Sequence, residues 1–428
     1  GCIKNSHICN VTYTCYTTCM ERYDVIIAGG GLVGNALGLA LAQGGLNVAV
    51  IDPIPAKAQL EAAFDGRTSA IALGSVRILE RIGAWKNITP NVSPIHDIRV
   101  CDQDAAGFVH YHDKDVGDEP FGYIIENHVI RRGLYQSVTN QENLTMLSGV
   151  KVTGYETFPD HVVAKLDDGR TLQAPLLVAA DGRFSGLREQ AGLDYRVVSY
   201  DQTAIVCVVE HAHAHKGLAL ERFMPAGPFA VLPLIDDANG THRSGIVWTE
   251  READAAHYVN LPDSEFNAEL ERRMGEHWGA TKSIGKRFAY PLKLMHATEF
   301  TAPRFVLVGD AAHGIHPIAG QGVNLGYRDV AVLSELLIDQ HNAKKDLGAD
   351  EVLKHYQRWR KFDSVSMTMS TDLLNRLFSN NSPSLAFLRR TGMKMVERMP
   401  PLKHFFMRHA MGLVGDLPKM MEPPKKVA

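Results

Sequence analysis

Three glycines and one acid stand at spacings that suit the binding of a dinucleotide. Gly29, Gly31 and Gly34 form a G-x-G-x-x-G pattern, and Asp52 follows further along the chain. In such a loop the first glycine permits a tight turn, the second lets backbone N–H groups approach a pyrophosphate, and the third lets a helix pack closely on a strand. A carboxylate such as that of Asp52 can accept hydrogen bonds from a ribose. The alternative is an ordinary glycine-rich turn in an α/β core.

The segments around these residues have the patterns of the elements that would position them. Residues 23–28 form a β-branched run typical of a buried strand, and residues 48–51 predict a second strand that ends at Asp52. The leucines and small residues of 37–41 predict a helix between them. No charged residue occurs from 25 to 51, yet the glycines argue against a membrane span. This order is that of a βαβ dinucleotide-binding unit, which does not distinguish NAD from FAD.

Two later strands also lead into acidic residues. The apolar run 176–180 precedes Asp181, and the run 305–308 precedes Gly309 and Asp310. Open α/β sheets bind ligands outside the carboxyl ends of their strands. We therefore expect both carboxylates to lie at the ligand-binding edge of the sheet.

The three motifs, taken in this order, resemble those of the single-component flavoprotein aromatic hydroxylases of the para-hydroxybenzoate hydroxylase fold. The stretch GDAAHGIHPIAGQGVNLG at 309–326 is more specific and is similar to the ubiquinone-biosynthesis hydroxylases of bacteria and mitochondria. The resemblance runs from about Tyr23 to the C-terminus, with Asp52 at a position where Glu is commoner. It implies an FAD-dependent monooxygenase that uses NAD(P)H and O2 to hydroxylate the aromatic ring of a polyprenylated phenol.

The resemblance also implies roles for individual residues. Those assigned to the cofactor are Gly29, Gly31, Gly34, Asp52, Arg67, Arg131, Asp181, Gly309, Asp310, Gly322 and Asn324. Among them, Arg67 and Arg131 would lie near the pyrophosphate or the flavin edge, and Asp310 near the ribityl chain. A loop containing Pro317, Gly320, Gln321 and Gly322 would run under the flavin ring. The helix-like stretch after that loop could stabilise negative charge on the reduced flavin through its N-terminal N–H groups. No acid or base residue is assigned.

Two sets of residues could instead ligate a metal. Asp310, His313 and His316 are three residues apart, which would place them on one helical face. Pro317 interrupts any helix there, and the flavin motif accounts for all three residues. The second set consists of His211, His213 and His215, whose alternation favours a polar strand surface over a metal site. We therefore predict no metal.

Composition and charge narrow the class of protein. The 428 residues carry a formal net charge of −3, so no global basic field favours nucleic acid. Residues 1–19 contain four of the six cysteines but neither C-x-x-C spacing nor the pattern of a signal peptide, and are predicted to form a disordered extension. The expected location is the cytoplasm, peripherally on the inner face of a membrane, or the mitochondrial matrix side in a eukaryote.

The predicted architecture is α/β, with a Rossmann-like FAD-binding domain interrupted by a mainly antiparallel sheet. The first domain would comprise 20–195 and 291–375, and the second, the substrate domain, 196–290. Ligands commonly bind where domains meet, so the phenol is expected between the sheet and the flavin. Residues 227–234 are either a wall of that pocket or simply core strands.

The C-terminal segment, 376–428, is predicted to be helical, basic and amphipathic. Residues 383–428 hold nine Lys or Arg against three Asp or Glu. Such a segment could lie on an anionic membrane, or pack on the cofactor domain or on a subunit partner such as a second copy. Two other functions stay open: a monooxygenase of the same fold that acts on a soluble phenol, and a flavin-binding scaffold among other quinone-biosynthesis proteins.

Overall fold

The computed structural model describes residues 20–61, 64–102, 108–315, 321–378, 391–393 and 395–423. The strands are β1 Glu21–Arg22, β2 Val25–Ala28, β3 Val48–Asp52, β4 Thr68–Ala72, β5 Ser93–Pro94, β6 Asp97–Asp102, β7 Phe108–His112, β8 Gly122–Glu126, β9 Leu144–Ser148, β10 Val152–Thr157, β11 Val162–Leu166, β12 Thr171–Ala174, β13 Leu176–Ala179, β14 Tyr195–His211, β15 Leu218–Met224, β16 Gly227–Leu234, β17 His242–Arg251, β18 Thr281–Ala297, β19 Thr301–Ala302, β20 Phe305–Leu307 and β21 His313–Gly314. The helices are α1 Leu32–Gln43, α2 Ala56–Leu60, α3 Leu73–Arg81, α4 Asn127–Thr139, α5 Gly186–Gln190, α6 Glu252–Val259, α7 Asp263–Met274, α8 Gln321–Asn342, α9 Asp350–Phe378 and α10 Pro400–Ala410.

The sheet of the cofactor domain has the strand order β19-β20-β13-β2-β3-β9, and its pairs are parallel except β19 with β20. β2, β13 and β20 are buried along their whole length, which explains their nearly continuous apolar sequences. Ala28 pairs with Ala179, and Ala179 with Leu307. The three strands therefore end side by side, which brings the glycine loop, Asp181 and Asp310 to one edge as the sequence predicted.

The second large sheet has the order β21-β18-β14-β17-β16-β15-β6-β7. Its pairs are antiparallel except β6 with β15. The sheet takes in more of the chain than residues 196–290, because β6 and β7 come from residues 97–112. The mixed α/β architecture with an antiparallel second sheet confirms the predicted fold class.

The two faces of this second sheet have different neighbours. The outer face packs against α6 and α7, where Phe266 and Leu270 join Trp248 in one buried cluster. The Arg273 guanidinium lies over the Trp248 ring, 3.9 Å from its centre. The opposite face, here called the inner face, packs against β4, β8 and their connections in the cofactor domain. Residues on each strand alternate between these faces, which is why one sheet can serve both layers.

The loop before β4 is held by the inner face of the second sheet. The Tyr290 hydroxyl donates a hydrogen bond to the carbonyl of Asp65 (2.8 Å). Gly66 has a φ of +83°, and a side chain at this position would collide with the Phe288 ring. These contacts fix the position of Arg67, one of the predicted cofactor residues.

Two smaller sheets complete the fold, with the strand orders β1-β12-β11-β10 and β4-β8-β5. In the part of the chain that the structure describes, the helices lack an apolar stretch of the length needed to cross a bilayer. The predicted extension at 1–19 and much of the predicted C-terminal segment lie outside the described residues. α10 does form within that segment.

Candidate cofactor site

The glycine loop has the tight geometry that its sequence predicts. Gly29 has a φ of +109°, and a side chain there would collide with the carbonyl of Ala180. A side chain on Gly34 would collide with the carbonyl of Gly29. Neither position accepts a larger residue without separating α1 from the strands β2 and β13.

The space in front of α1 is suited to an anion. A Cβ placed on Gly31 would have no atom within 4 Å. The helix N-terminus has no side-chain cap and no acidic residue in its first turn. Its N–H groups and its positive dipole end therefore face open space, which is the environment that a pyrophosphate needs. The residues present fit an adenine dinucleotide.

Asp52 lies at the end of β3 and supports the same loop. Its carboxylate accepts hydrogen bonds from the N–H groups of Gly30 (2.6 Å) and Ile54 (2.8 Å) and from the side chain of Gln59 (3.0 Å). Burial raises the pKa of Asp52, although these hydrogen bonds act in the opposite direction. Contact with a ribose stays a prediction for this residue.

Gln59 was missed by sequence reasoning. It lies on the short helix α2, is buried, and its Oε1 has no hydrogen-bond partner among the described residues. A buried acceptor without a donor is uncommon in proteins. The hydroxyl or amino groups of an adenosine could supply that donor beside Asp52. A five-residue helix carries no periodic pattern that would have singled out this residue.

The motif after β13, residues 181–188, is linked to the distant turn at residues 309–311 through Arg188. Ser185 caps α5 by accepting a hydrogen bond from the N–H of Arg188 (3.0 Å). The buried guanidinium of Arg188 donates to the carbonyl of Ala311 (2.9 Å) and lies over the Tyr195 ring. The Asp181 carboxyl lies at the accessible edge of the sheet. Desolvation by the surrounding protein atoms raises its pKa more than a hydrogen bond from Ser185 lowers it, so the pKa of Asp181 lies above its ordinary value.

The turn that carries Asp310 is held by a fully buried carboxylate, that of Asp329 on α8. Asp329 Oδ2 accepts a hydrogen bond from the N–H of Gly309 (2.8 Å) and lies 2.7 Å from Nε2 of His313. Its Oδ1 accepts a hydrogen bond from Nε of Arg360 (2.6 Å). Asp310 itself is exposed and close enough to Arg67 to interact with its charge.

These residues form part of a larger buried ion network. Arg360 also pairs with Asp363, and Asp363 accepts a hydrogen bond from Arg328 (2.6 Å). Burial alone would raise the pKa of Asp329, but His313 and Arg360 bring it below its ordinary value. The network thus keeps a charged carboxylate in the core, and this carboxylate orients the turn of the cofactor motif.

The other predicted residues lie around this edge. Arg67 donates to Asp65 Oδ2 (2.9 Å), and Arg131 on α4 is within electrostatic reach of both Asp52 and Asp65. The amide of Asn324 accepts a hydrogen bond from the N–H of Ala72 and donates to the carbonyl of Ala70, so it ties α8 to β4. Their contacts with the cofactor stay predictions. Pro317 and Gly320 lie outside the described residues, as does His316, while Gln321 and Gly322 begin α8.

Three of the histidines considered as metal ligands, His211, His215 and His313, lie within hydrogen-bond distance of protein groups. His313 pairs with Asp329, as described above. His211 is buried rather than on a polar surface, between the carbonyl of His213 (2.8 Å) and the hydroxyl of Ser244 (2.9 Å). His215 lies 2.8 Å from the carbonyl of Leu234. Within the described ranges, no three groups are placed to hold a metal ion.

The residues of β16 alternate between the two faces of the second sheet, and their place in a substrate pocket stays a prediction. Phe229 and Val231 belong to the buried outer layer. Leu232 packs on the inner face, and Ala230 is its same-face neighbour on the strand. Ala204, Val206 and Leu292, with the flanking tyrosines 200 and 290, continue this apolar inner face. An aromatic ring could lie there, shielded from water.

A comparison of the sequence with protein families decides the identity of the fold. Residues 22–369 match the family described as FAD binding domain. The chain belongs to this family. FAD, the cofactor predicted from the sequence, is therefore confirmed, and the open space before α1 fits it.

Among individual proteins, the chain is 46% identical to ubiquinone hydroxylase UbiL of Rhodospirillum rubrum, over 94% of this chain and 92% of that protein. It is 33% identical to the mitochondrial ubiquinone biosynthesis monooxygenase COQ6 of Rattus norvegicus, over 91% of this chain and 90% of that protein. It is 32% identical to 3-demethoxyubiquinol 3-hydroxylase of Escherichia coli, over 91% of this chain and 98% of that protein.

Solved structures share the fold at lower identity. The p-nitrophenol 4-monooxygenase PnpA of Pseudomonas putida superposes with a TM-score of 0.75 at 20% identity, covering 92% of this chain and 99% of that one. PqsL of Pseudomonas aeruginosa, described as a probable FAD-dependent monooxygenase, superposes with a TM-score of 0.71 at 20% identity. The superposition covers 84% of this chain and 97% of PqsL. These likenesses confirm the predicted fold class.

The glycine loop generates a prediction that separates cofactor binding from folding. In Gly31→Ala the new methyl group enters open space, so we expect an unchanged Tm of the apoprotein but roughly tenfold weaker FAD binding, about 1.4 kcal/mol. In Gly34→Ala the methyl group collides with the Gly29 carbonyl, and we expect a loss of about 1–3 kcal/mol in unfolding free energy. Flavin fluorescence titration and thermal unfolding measure both effects. Full FAD affinity in Gly31→Ala would place the pyrophosphate elsewhere.

The buried carboxylate generates a second prediction. Asp329→Asn removes the charge that balances Arg360, and we expect it to lower the unfolding free energy by about 3 kcal/mol and to release FAD. Because the pKa of Asp329 is lowered in the folded protein, its contribution is present above pH 4, roughly the unfolded value, and is lost as the pH falls through the folded pKa.

Denaturant unfolding at pH 7 and at acid pH, together with flavin absorbance, measures this effect. The matched control is Asp350→Asn on α9, which removes an exposed pair with Lys354 and is expected to change stability by less than about 0.5 kcal/mol. Equal stabilities for the two variants at pH 7 would contradict the role given to Asp329.

Proposed function

We propose that the protein is an FAD-dependent monooxygenase that hydroxylates the aromatic ring of a polyprenylated phenol in ubiquinone biosynthesis. The observation that carries the proposal is the 46% identity, over nearly the whole of both chains, to a ubiquinone hydroxylase. In the reaction, a ring C–H, O2, NAD(P)H and H⁺ give a ring C–OH, water and NAD(P)⁺. When bound, FAD supplies the electron transfer and oxygen activation that amino-acid side chains cannot perform.

The chain's own residues bind and orient the reactants. Gly31 and the N-terminus of α1 would hold the pyrophosphate of FAD, and Asp329 fixes the turn that would present Asp310 to it. The apolar inner face, with Val206 and Leu292, excludes water from the reacting ring. The side chains of the protein thus need only bind and position the reactants, in agreement with the sequence analysis, which assigns no acid or base residue.

The direct test is the mass profile of quinone intermediates in cells that lack their own ring hydroxylases. We expect this chain to consume one accumulated phenol and to form a product heavier by one oxygen atom. The control is the Asp329→Asn variant, expected to abolish the conversion because it releases FAD. An unchanged profile from a folded, flavin-loaded protein would favour an enzyme of a soluble phenol or a flavin-binding scaffold.

We propose, in addition, that the protein works on the inner face of a membrane, or on its matrix side in a mitochondrion. The support is an exposed apolar row on α9, here called the α9 stripe and defined as Phe362, Val365, Met369 and Leu373. Phe362 is 80%, Met369 67% and Leu373 65% exposed. A single exposed apolar residue is ordinary, but a row at helical spacing marks a contact surface.

The surroundings of the α9 stripe favour a lipid surface. α10 adds the half-exposed Phe405 and Phe406, near the exposed Arg408. His409 on α10 lies within electrostatic reach of Asp363, which follows Phe362, so the two helices are adjacent. Apolar side chains interleaved with basic ones are typical of helices that rest on anionic membranes. At its end α9 also reaches the second sheet, where Phe378 stacks on Phe223. A substrate with a polyprenyl tail could then pass from bilayer to sheet.

The membrane proposal predicts an effect of charge on the stripe. Phe362→Glu combined with Met369→Glu is expected to reduce binding to phosphatidylglycerol vesicles by roughly tenfold or more, because each buried apolar side chain contributes about 1.5–3 kcal/mol. The control is Val197→Glu with Val198→Glu, two exposed residues of β14. Vesicle flotation measures binding, and sedimentation velocity reports self-association. Unaltered flotation together with a lost dimer would make the stripe a subunit interface instead.

A further inference from the structure

Glu221 lies in the middle of the inner face of the second sheet. On β15 its same-face neighbours are Ala219 and Phe223. Across the sheet, Glu221 pairs with Val100 of β6 and with Ala230 of β16. All four of these neighbours are apolar, and a second carboxyl group, that of Asp102, lies opposite Phe223 on β6.

The direction of its side chain follows from the alternation along β15. Leu218 and Leu220 are buried in the outer layer with α6 and α7. Ala219 packs in the inner layer, and the Phe223 ring stacks on that of Phe378, with the ring centres 4.1 Å apart. Glu221 therefore points into the space between the sheet and the cofactor domain.

The carboxyl group of Glu221 has no hydrogen bond and no ion pair among the described residues. Its side chain keeps partial accessibility, although burial raises its pKa to about 7. Because the side chain points toward the cofactor domain, its accessible surface lies on that side of the sheet, and the space there is here called the recess. An unpaired carboxyl in apolar surroundings destabilises a fold, and such groups cluster at functional sites.

The charged and titratable groups around this recess do not offset the cost of burying the Glu221 carboxyl. They are Asp102 on β6, Tyr111 on β7, Asp372 on α9 and, beyond Tyr111, Glu397. Burial alone accounts for the raised pKa, without a contribution from any of them. The protonation state of Glu221 is therefore set by the recess and would respond to what fills it.

We infer that Glu221 is a substrate-binding residue whose carboxyl group hydrogen-bonds an oxygen substituent of the phenolic ring and thereby sets which ring carbon faces the flavin. The inference rests on the proposed function. A hydrogen bond inside an apolar recess discriminates strongly between ring orientations, because a misplaced ring leaves the carboxyl unpaired. The apolar row of Ala230, Val247 and Val206, which runs from Glu221 toward β18, would carry the rest of the ring by contact alone.

Two substitutions separate this role from a structural one. Glu221→Leu removes the polar group at similar volume, and Glu221→Gln keeps hydrogen bonding but does not titrate. The control is Glu142→Gln, an exposed residue between α4 and β9. The probe is 2-geranylphenol with the FAD-loaded enzyme, and the readouts are Tm, KM, the fraction of NAD(P)H oxidation coupled to product, and the ring position of the new hydroxyl.

We expect Glu221→Leu to keep its FAD and a Tm at least equal to that of the wild type, while KM rises roughly tenfold, as for one lost hydrogen bond to a buried group. Coupling should fall and the product should become a mixture of positional isomers. In the wild type, KM should change as the pH increases through 7, since the ionised carboxyl only accepts a hydrogen bond from the ring substituent whereas the protonated carboxyl also donates one. Glu221→Gln should keep KM near the wild-type value and lose this pH dependence.

Other outcomes overturn the inference in distinguishable ways. Unchanged KM, coupling and product position in Glu221→Leu would remove Glu221 from the substrate site. If Glu221→Leu does not fold, Glu221→Gln decides, because a pH profile identical to that of the wild type would exclude the carboxyl. A wild-type enzyme that forms no hydroxylated product would instead refute the proposed function itself.

Discussion

The structure depends on one buried charge, the carboxylate of Asp329. It lies at zero exposure between the turn at Gly309, the imidazole of His313 and the guanidinium of Arg360. Removing such a group from water costs several kcal/mol, and only several well-oriented donors can offset that cost. The donors come from two separate segments, residues 309–313 and α9, so the carboxylate on α8 forms its full set of bonds only when all three segments are correctly placed. The cofactor edge thus gains its geometry from a buried ion network.

Other loops of the site are also held in place by polar side chains from distant parts of the chain. Arg188 joins the motif after β13 to the carbonyl of Ala311, and Asn324 joins α8 to β4. In each case one polar side chain satisfies backbone groups of a distant loop. The glycine loop is defined chiefly by close backbone packing at Gly29 and Gly34, and the carboxylate of Asp52 adds one hydrogen bond to the N–H of Gly30. The site therefore combines one loop shaped mainly by backbone packing with two loops held by side chains from distant segments.

This difference explains how much could be read from the sequence. The βαβ unit follows from hydrophobic runs and glycine spacing, which are local, and the edge position of Asp181 and Asp310 follows from the rule for parallel strands. No local sequence pattern predicts a functional role for Gln59 or Glu221. Each was singled out because a polar group of its side chain lacks a partner among the described residues, in surroundings formed by segments distant in sequence. For the same reason the parallel pairing of β6 with β15 could not be foreseen, since no pattern in residues 97–102 names its partner.

The strand order of the cofactor sheet also constrains how the chain is made. β2 pairs with β13, and β13 in turn pairs with β20, so the third parallel strand of this core is translated some 280 residues after the first. The charge of Asp329 finds its guanidinium partner only when Arg360 has been synthesised. A growing chain on the ribosome must therefore hold unpaired apolar strand edges for most of its synthesis, and the carboxyl of Asp329 without its guanidinium partner for the 31 residues until Arg360 is made. Such strand edges are prone to aggregation, and truncations before residue 360 should accumulate as aggregates rather than as a smaller folded domain.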